Sequence, residues 1–350
     1  MKKEERVSVG ISVGDLNGVG TELIIKAYED PRALELSTPV IFASNKVMHF
    51  FKNHFKSKIN FFGINSTDKL VHGKVNVVDV WREPIKIDFG KPSKKIGAYA
   101  IKSLKAATQA LKEGSIDVLV TAPINKQNIQ SDTFNFPGHT NYLSKELEGN
   151  SLMLMVSEKL RIGLLTDHIP LKDISNKVDE ALIIEKIKIV SKSLKQDFAI
   201  TKPKIAVLAI NPHAGDNGVI GNEDDEILKP ALEKMKAKGD LVYGPYSADS
   251  FFGSSTYRSF DAIIAAYHDQ GLIPFKTIAF GNGVNYTAGL SKVRTSPDHG
   301  TAYQIAGQGI ADEHSFKKAI EMAIKIFRNR KEHKTYAKNP LRKVSHPPKI

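Results

Sequence analysis

An α/β fold of two α/β/α lobes is predicted by three features of this sequence. Short β-branched runs alternate with helix-spaced apolar stripes along nearly the whole chain. A chain of 350 residues exceeds one ordinary core, yet no low-complexity linker or composition shift marks a boundary. Several apolar runs also stop at polar clusters of one kind, histidine beside aspartate or asparagine. Alternating strands and helices imply mainly parallel sheets, with the lobes joined through the sheet and the chain crossing between them more than once.

The elements follow in order. "VSVGISVG" reads as a strand and "TELIIKAYED" as the helix after it. "PVIFASN" and "VNVVDVW" are further strands. Ile96, Ala100, Leu104, Ala107 and Leu111 share one helical stripe, which Gly114 ends before the strand "DVLVTAPI". "LMLMVSEKLRIGLLTDH" holds two strands around a charged turn, and "DEALIIEKIKIVSKSL" is a long helix. "KIAVLAINPH", a helix from Asp224 to Lys238, and a buried strand from Asp261 to Tyr267 continue the alternation; a last helix follows Ser315.

Composition excludes several classes of chemistry. Without cysteine there are no disulfides, thiolate zinc sites or thiol nucleophiles. The chain start lacks a signal-peptide core, and no apolar run has membrane-spanning length, so a soluble cytoplasmic protein without a membrane partner is expected. The net charge of +12 is concentrated in the final stretch "RNRKEHKTYAKNPLRKVSHPPKI", where Glu332 is the only acid. No aromatic-basic motif accompanies it, so it reads as a solvated helix end and not a nucleic-acid arm. The remaining positive charge suits anionic small substrates such as phosphates.

Three strand ends carry candidate metal ligands: His168 in "RIGLLTDHIP", His213 in "KIAVLAINPHAGDNG" and His268 in "DAIIAAYHDQG". In open α/β sheets that edge is where ligands bind. Each histidine alone reads as a hydrogen-bonded structural residue; only the repetition raises a shared divalent metal to an equal reading. "FPGHTNYL" places His139 and Thr140 at the start of a helical pattern, as an anion site or with Thr140 as an N-cap. Lys276 and Arg294 are cations just past strand-like runs. "GDLNGVGTEL" does not match the dinucleotide fingerprint G-x-G-x-x-G. The glycine-rich residues 298–312 either wrap a cofactor or form a plain turn into a helix.

Eight segments, "GDLNGVGTE", "TAPINK", "FPGHT", "TDHIPL", "NPHAGDNG", "GPYSADS", "YHDQGLIPFK" and "VRTSPDHGTA", together resemble the 4-hydroxythreonine-4-phosphate dehydrogenase family of vitamin B6 biosynthesis, in the family's order and across nearly the whole chain. The resemblance implies an isopropylmalate dehydrogenase-like fold with the active site in the cleft between lobes. It implies a first lobe of residues 1–130 plus 290–350 and a second of 131–289, the latter carrying metal ligands and a homodimer interface. A divalent cation (zinc, magnesium or cobalt) would be held by His168, His213 and His268, the last supplied by the partner subunit. Substrate would be held by His139, Thr140, Lys276, Asn285 and Arg294, and NAD or NADP by His299, Gly300, Thr301 and Ala302.

The implied reaction oxidises 4-phosphohydroxy-L-threonine to a β-keto acid, which decarboxylates to 3-amino-2-oxopropyl phosphate. Lys276 and Asp249 are the candidate bases on charge and pKa grounds. The alternative is a paralogous dehydrogenase of a four-carbon threonate or erythronate phosphate. Asn141 stands where the family often has Glu, Asp167 precedes the first histidine in place of Thr or Gly, and Ser250 replaces Thr.

Overall fold

The computed structural model describes residues 6–338. The strands are β1 (Val7–Ser12), β2 (Ser37–Ala43), β3 (Phe61–Ile64), β4 (Val75–Asp79), β5 (Val118–Thr121), β6 (Gly149–Val156), β7 (Arg161–Leu164), β8 (Ile205–Leu208), β9 (Val242–Tyr246), β10 (Ala262–Ala265), β11 (Val284–Leu290) and β12 (Val293–Pro297). The helices are α1 (Gly20–Ala27), α2 (Ala33–Leu36), α3 (Asn45–His54), α4 (Lys94–Glu113), α5 (His139–Glu146), α6 (Ile174–Lys177), α7 (Glu180–Gln196), α8 (Lys229–Lys236), α9 (Ala248–Gly253), α10 (His268–Ile278) and α11 (His314–Ala337).

All twelve strands form one sheet in the order β3-β4-β2-β1-β5-β12-β11-β6-β7-β10-β8-β9. Its outer parts are parallel, as the alternation predicts. The middle is not: β11 runs antiparallel to both β12 and β6, and β6 to β7. A four-residue charged turn joins β6 to β7, and antiparallel neighbours need only such a turn.

Side-chain alternation sorts each strand's residues between the two faces. Val118 and Val120, Leu152 and Leu154, and Val284 and Tyr286 join one continuous core under α1, α3, α7, α8 and α11. On the other face the apolar packing is split. Leu119 packs with α4 and α5 in one cluster, while Met153, Met155, Ile263 and Ala265 pack with α9 and α10 in another. Between these clusters that face carries polar residues: Thr121 of β5, Arg294 of β12, and Asn285 and Thr287 of β11. The split in the core is where the cavity opens.

Local signals explain most element ends. Ser93 caps α4 by accepting from the Ile96 N–H, and Gly114 closes it in the left-handed conformation. Asp179 caps α7 from the Leu182 N–H at 2.7 Å. The helix expected over 224–238 instead opens as a π-helical turn, Asp224–Leu228, before α8; Pro230 has no N–H to continue regular pairing. The expected strand 261–267 is shortened to β10, and His268 begins α10. Lys276 therefore lies in the third turn of a helix and not past a strand. Gly271 permits this packing, since a Cβ there would sit 2.8 Å from Leu164 Cδ2 and 2.9 Å from Ile162 Cγ2.

A buried ionic network ties the far ends of the fold. Asp197 follows α7 and accepts from Arg330 Nε of α11 at 2.6 Å and from the Tyr286 hydroxyl of β11 at 2.6 Å. No helix among the described residues is long and apolar enough to cross a membrane. The final basic residues, 339–350, lie outside the described residues.

Candidate active site

The cavity between the two clusters has a volume of about 280 Å³ and draws on both halves of the sheet. Arg294 is its floor. It is 2% exposed, and its guanidinium donates to Thr121 Oγ1 at 3.1 and 2.6 Å and to Thr287 Oγ1 at 3.1 Å. Burial pushes its pKa down to about 9, so it is still charged at neutral pH. Among the described residues no carboxylate pairs with it. A buried cation held only by neutral hydroxyls is costly unless an anion arrives to compensate it.

Other groups around Arg294 are also incomplete. His139 opens α5, where Gly138 is the N-cap and makes no side-chain cap. Thr140 is therefore not the N-cap, and its side chain lines the cavity instead. The Nε2 of His139 and the Oδ1 of Asn285 are buried without a partner. Burial and the nearby charges of Arg294 and Lys126 hold the His139 pKa well below the usual imidazole range, so its ring is neutral at pH 7. A helix N-terminus, a buried arginine and unpaired polar atoms converge on one space, a combination suited to an anion.

Lys276 reaches the same cavity and lies 3.4 Å from Asp298 Oδ1. Lys126 lines it too, with Nζ 3.4 Å from His168 Nε2. Neither Lys126 nor Asp298 stood out in the sequence. Lys126 ends the strand-and-turn segment "TAPINK", and that position after β5 was its only signal.

The candidate metal ligands divide. His168 and His268 of the same chain both line the cavity, with ring centroids 5.5 Å apart. Asp167 Oδ2 lies 3.6 Å from His168 Nδ1, and Asp269 Oδ1 lies 2.7 Å from His268 Nδ1. A carboxylate beside Nδ1 orients each ring for ligation through Nε2, and at His168 a divalent cation would take the place of Lys126 Nζ. His213 is elsewhere. It lines a separate cavity of about 310 Å³ with Ser247, Asp249, Tyr267 and Gln270. Six successive residues there, His213 to Gly218, have positive φ. The buried carboxylate of Asp224 braces this loop through the Ile210 and Asn211 N–H groups at 2.8 and 2.9 Å.

Among the described residues no three metal-binding side chains cluster. The three expected histidines are therefore not assembled within one chain among the described residues. α10 folds against β7, bringing His268 to His168 within one chain and leaving His213 as the separated member. Asp249 lies with His213 and accepts from Ser247 Oγ at 2.6 Å, apart from the other candidate base, Lys276.

His299 and Gly300 line the main cavity, and the following residues form a braced loop. Thr301 O accepts from the Val19 N–H at 3.0 Å, and the Tyr303 hydroxyl donates to Asp15 at 2.6 Å. Gly18 fits because a Cβ would lie 2.7 Å from Thr301 O. The segment "GDLNGVG" is therefore the socket of this loop. Gly300 differs: an added Cβ there would meet nothing within 4 Å.

The family model described as "Pyridoxal phosphate biosynthetic protein PdxA" matches residues 35–323, which include every candidate site residue. A 4-hydroxythreonine-4-phosphate dehydrogenase of Bacteroides thetaiotaomicron is 49% identical over 343 residues, covering 97% of this chain and 94% of that protein. A D-threonate 4-phosphate dehydrogenase of Cupriavidus necator is 35% identical, covering 91% of this chain and 96% of that protein. The crystal structure of 4-hydroxythreonine-4-phosphate dehydrogenase from Klebsiella pneumoniae superposes with a TM-score of 0.79 at 31% identity, covering 93% and 99% of the two chains. With its polar cleft and its sequence in agreement over nearly the full length, this chain belongs to the PdxA family of pyridoxal phosphate biosynthetic proteins.

Proposed function

We propose that this dehydrogenase oxidises 4-phosphohydroxy-L-threonine with NAD or NADP, giving a β-keto acid that loses carbon dioxide to form 3-amino-2-oxopropyl phosphate. The observation that carries this reading is Arg294, a buried cation without an acid partner at the floor of a cavity that also presents Lys126, Lys276 and the start of α5. A substrate bearing both carboxylate and phosphate supplies the missing charge. His168 and His268 of one chain, with His213 of the partner subunit in a homodimer, would hold a divalent cation such as zinc, magnesium or cobalt. When bound, the cation stabilises a developing alkoxide and the nicotinamide supplies a hydride acceptor. We further assign the cofactor loop to a first lobe, residues 1–130 and 290–350, and the metal ligands to a second, 131–289, of a cytoplasmic enzyme.

The chain's own residues orient the substrate. Arg294 and Lys276 fix its two anionic ends, neutral His139 donates or accepts a hydrogen bond, and Asn285 Oδ1 accepts one. A second reading, oxidation of a four-carbon sugar-acid phosphate, is supported by Asn141 on the cavity lining and by the C. necator relative. An asparagine there brings no negative charge to pair with a substrate ammonium group.

Turnover of 4-phosphohydroxy-L-threonine, its unphosphorylated form and D-threonate 4-phosphate, each with NAD and NADP, tests the proposal. The phosphorylated amino acid is expected to be the best substrate, with the unphosphorylated form slower by several orders of magnitude in kcat/KM. Preference for D-threonate 4-phosphate moves the assignment to the second reading, and equal turnover without phosphate refutes both.

Replacing Gly300 with valine tests the cofactor loop. The free protein has space for the new side chain, so its melting temperature should be nearly unchanged while NAD affinity falls at least tenfold, since only a close-lying ligand meets the added atoms. Unchanged NAD affinity places the cofactor elsewhere.

A further inference from the structure

Alcohol oxidation releases a proton as well as a hydride, and the cavity holds one asymmetry of charge relevant to it. Lys126, Lys276 and Arg294 line it, and Asp298 is the single carboxylate on its wall among the described residues. In a pocket that receives a doubly anionic substrate, a carboxylate opposes binding, so its presence there calls for another role. Its seat is specific. The Asp298 N–H donates to Ser315 Oγ at 3.1 Å, Ser315 Oγ donates to Gly283 O at 2.7 Å, and a Cβ at Gly283 would lie 2.7 Å from Asp298 Oδ2. The carboxylate is 18% exposed, whereas its partner Lys276, 3.4 Å away, is 53% exposed and also lines the cavity.

We propose that Asp298 is a positioning residue that receives, through Lys276, the proton lost from the substrate hydroxyl. This rests on reading the cavity as a dehydrogenase site. The O–H bond breaks and its proton passes to Lys276 Nζ as another Nζ proton passes to Asp298 Oδ1, so the lysine remains an ammonium. The carbon's C–H electron pair leaves as hydride to the nicotinamide, and C–O becomes C=O. Asp298 then yields its proton to water. Burial raises the Asp298 pKa, an effect Lys276 opposes, and a raised pKa makes the carboxylate a better acceptor.

The test is Asp298→Asn, which keeps the backbone bond to Ser315 and nearly the same shape. Its kcat should fall about 100-fold, the low end for loss of a general base, with KM changed less than threefold. The acid limb of the kcat–pH profile should disappear, and Asp298→Glu should restore it at reduced kcat. His139, His168, His268 and His299 also face this space, with Lys126 and Arg294, so the limb is assigned by its loss or displacement on substitution of Asp298 and not by its position alone. An unchanged limb, or a change in KM alone, overturns the proposal. If Asp298→Asn does not fold, Asp298→Glu decides: a limb displaced along the pH axis supports the relay, and a limb unmoved from its wild-type position overturns it. Wild-type protein that turns over none of the phosphorylated substrates overturns the reading of the site and this inference with it; wild-type turnover with an intact limb in Asp298→Asn overturns the inference alone.

Discussion

Replacing Arg294 with methionine is expected to lower kcat/KM for the phosphorylated substrate by about three orders of magnitude while leaving the fold intact. Each charged hydrogen bond to an anion contributes roughly 1.5–3 kcal/mol, so losing two removes about 3–6 kcal/mol, or two to four powers of ten. Part of that binding energy aligns the reacting carbon, so kcat falls along with affinity. Stability should respond in the opposite sense. Arg294 is buried against two threonine hydroxyls without an acid, so the free protein bears its desolvation cost without an ion pair in return. The methionine variant should melt at the same temperature as wild type or higher. Arg294→Lys should recover little, because a point charge cannot reproduce the planar fork between Thr121 and the ligand. Near wild-type turnover in Arg294→Met would show that the anion sits elsewhere.

The fold was legible where one residue's chemistry decides the local structure. The stripe from Ile96 to Leu111 with Gly114 behind it marks a helix whatever surrounds it, and it is the observed α4. Buried runs such as those of β1 and β5 mark strands with both faces covered. The errors came where tertiary packing overrides local signals. The run expected as a strand to Tyr267 stops at Ala265, and Lys276, expected just past a strand, lies inside α10, because Gly271 lets the helix press onto β7. The antiparallel middle of the sheet leaves no mark on composition, since the strands β6, β7 and β11 are as apolar as parallel ones.

The same division holds for the site. Histidines at apolar strand ends and the cation Arg294 were visible because those residue types are unusual in such places. Asp298 was not, because its significance lies in Lys276, twenty-two positions earlier in the sequence and joined to it only by the fold. Nor could sequence decide which histidines meet within one chain. His168 and His268 are one hundred positions apart and touch, whereas His213, between them in sequence, is carried off by the left-handed loop that Asp224 braces.

That separation gives the most direct test of the central claim, that a functional site combines His168 and His268 of one subunit with His213 of the partner subunit. Subunits carrying His213→Ala are expected to be inactive alone, as are subunits carrying His168→Ala. Refolded together, they form mixed dimers in which one site has all three histidines, so metal binding and turnover should return to about half of the wild-type value per mixed dimer. Mixing His168→Ala with His268→Ala should restore nothing, because every site then lacks one member of the same-chain pair. Activity measured across both mixtures reads the arrangement without any structure of the complex. Recovery in the first mixture alone is the predicted result; recovery in the second, with none in the first, would contradict it and return His268 to the partner's side of the site.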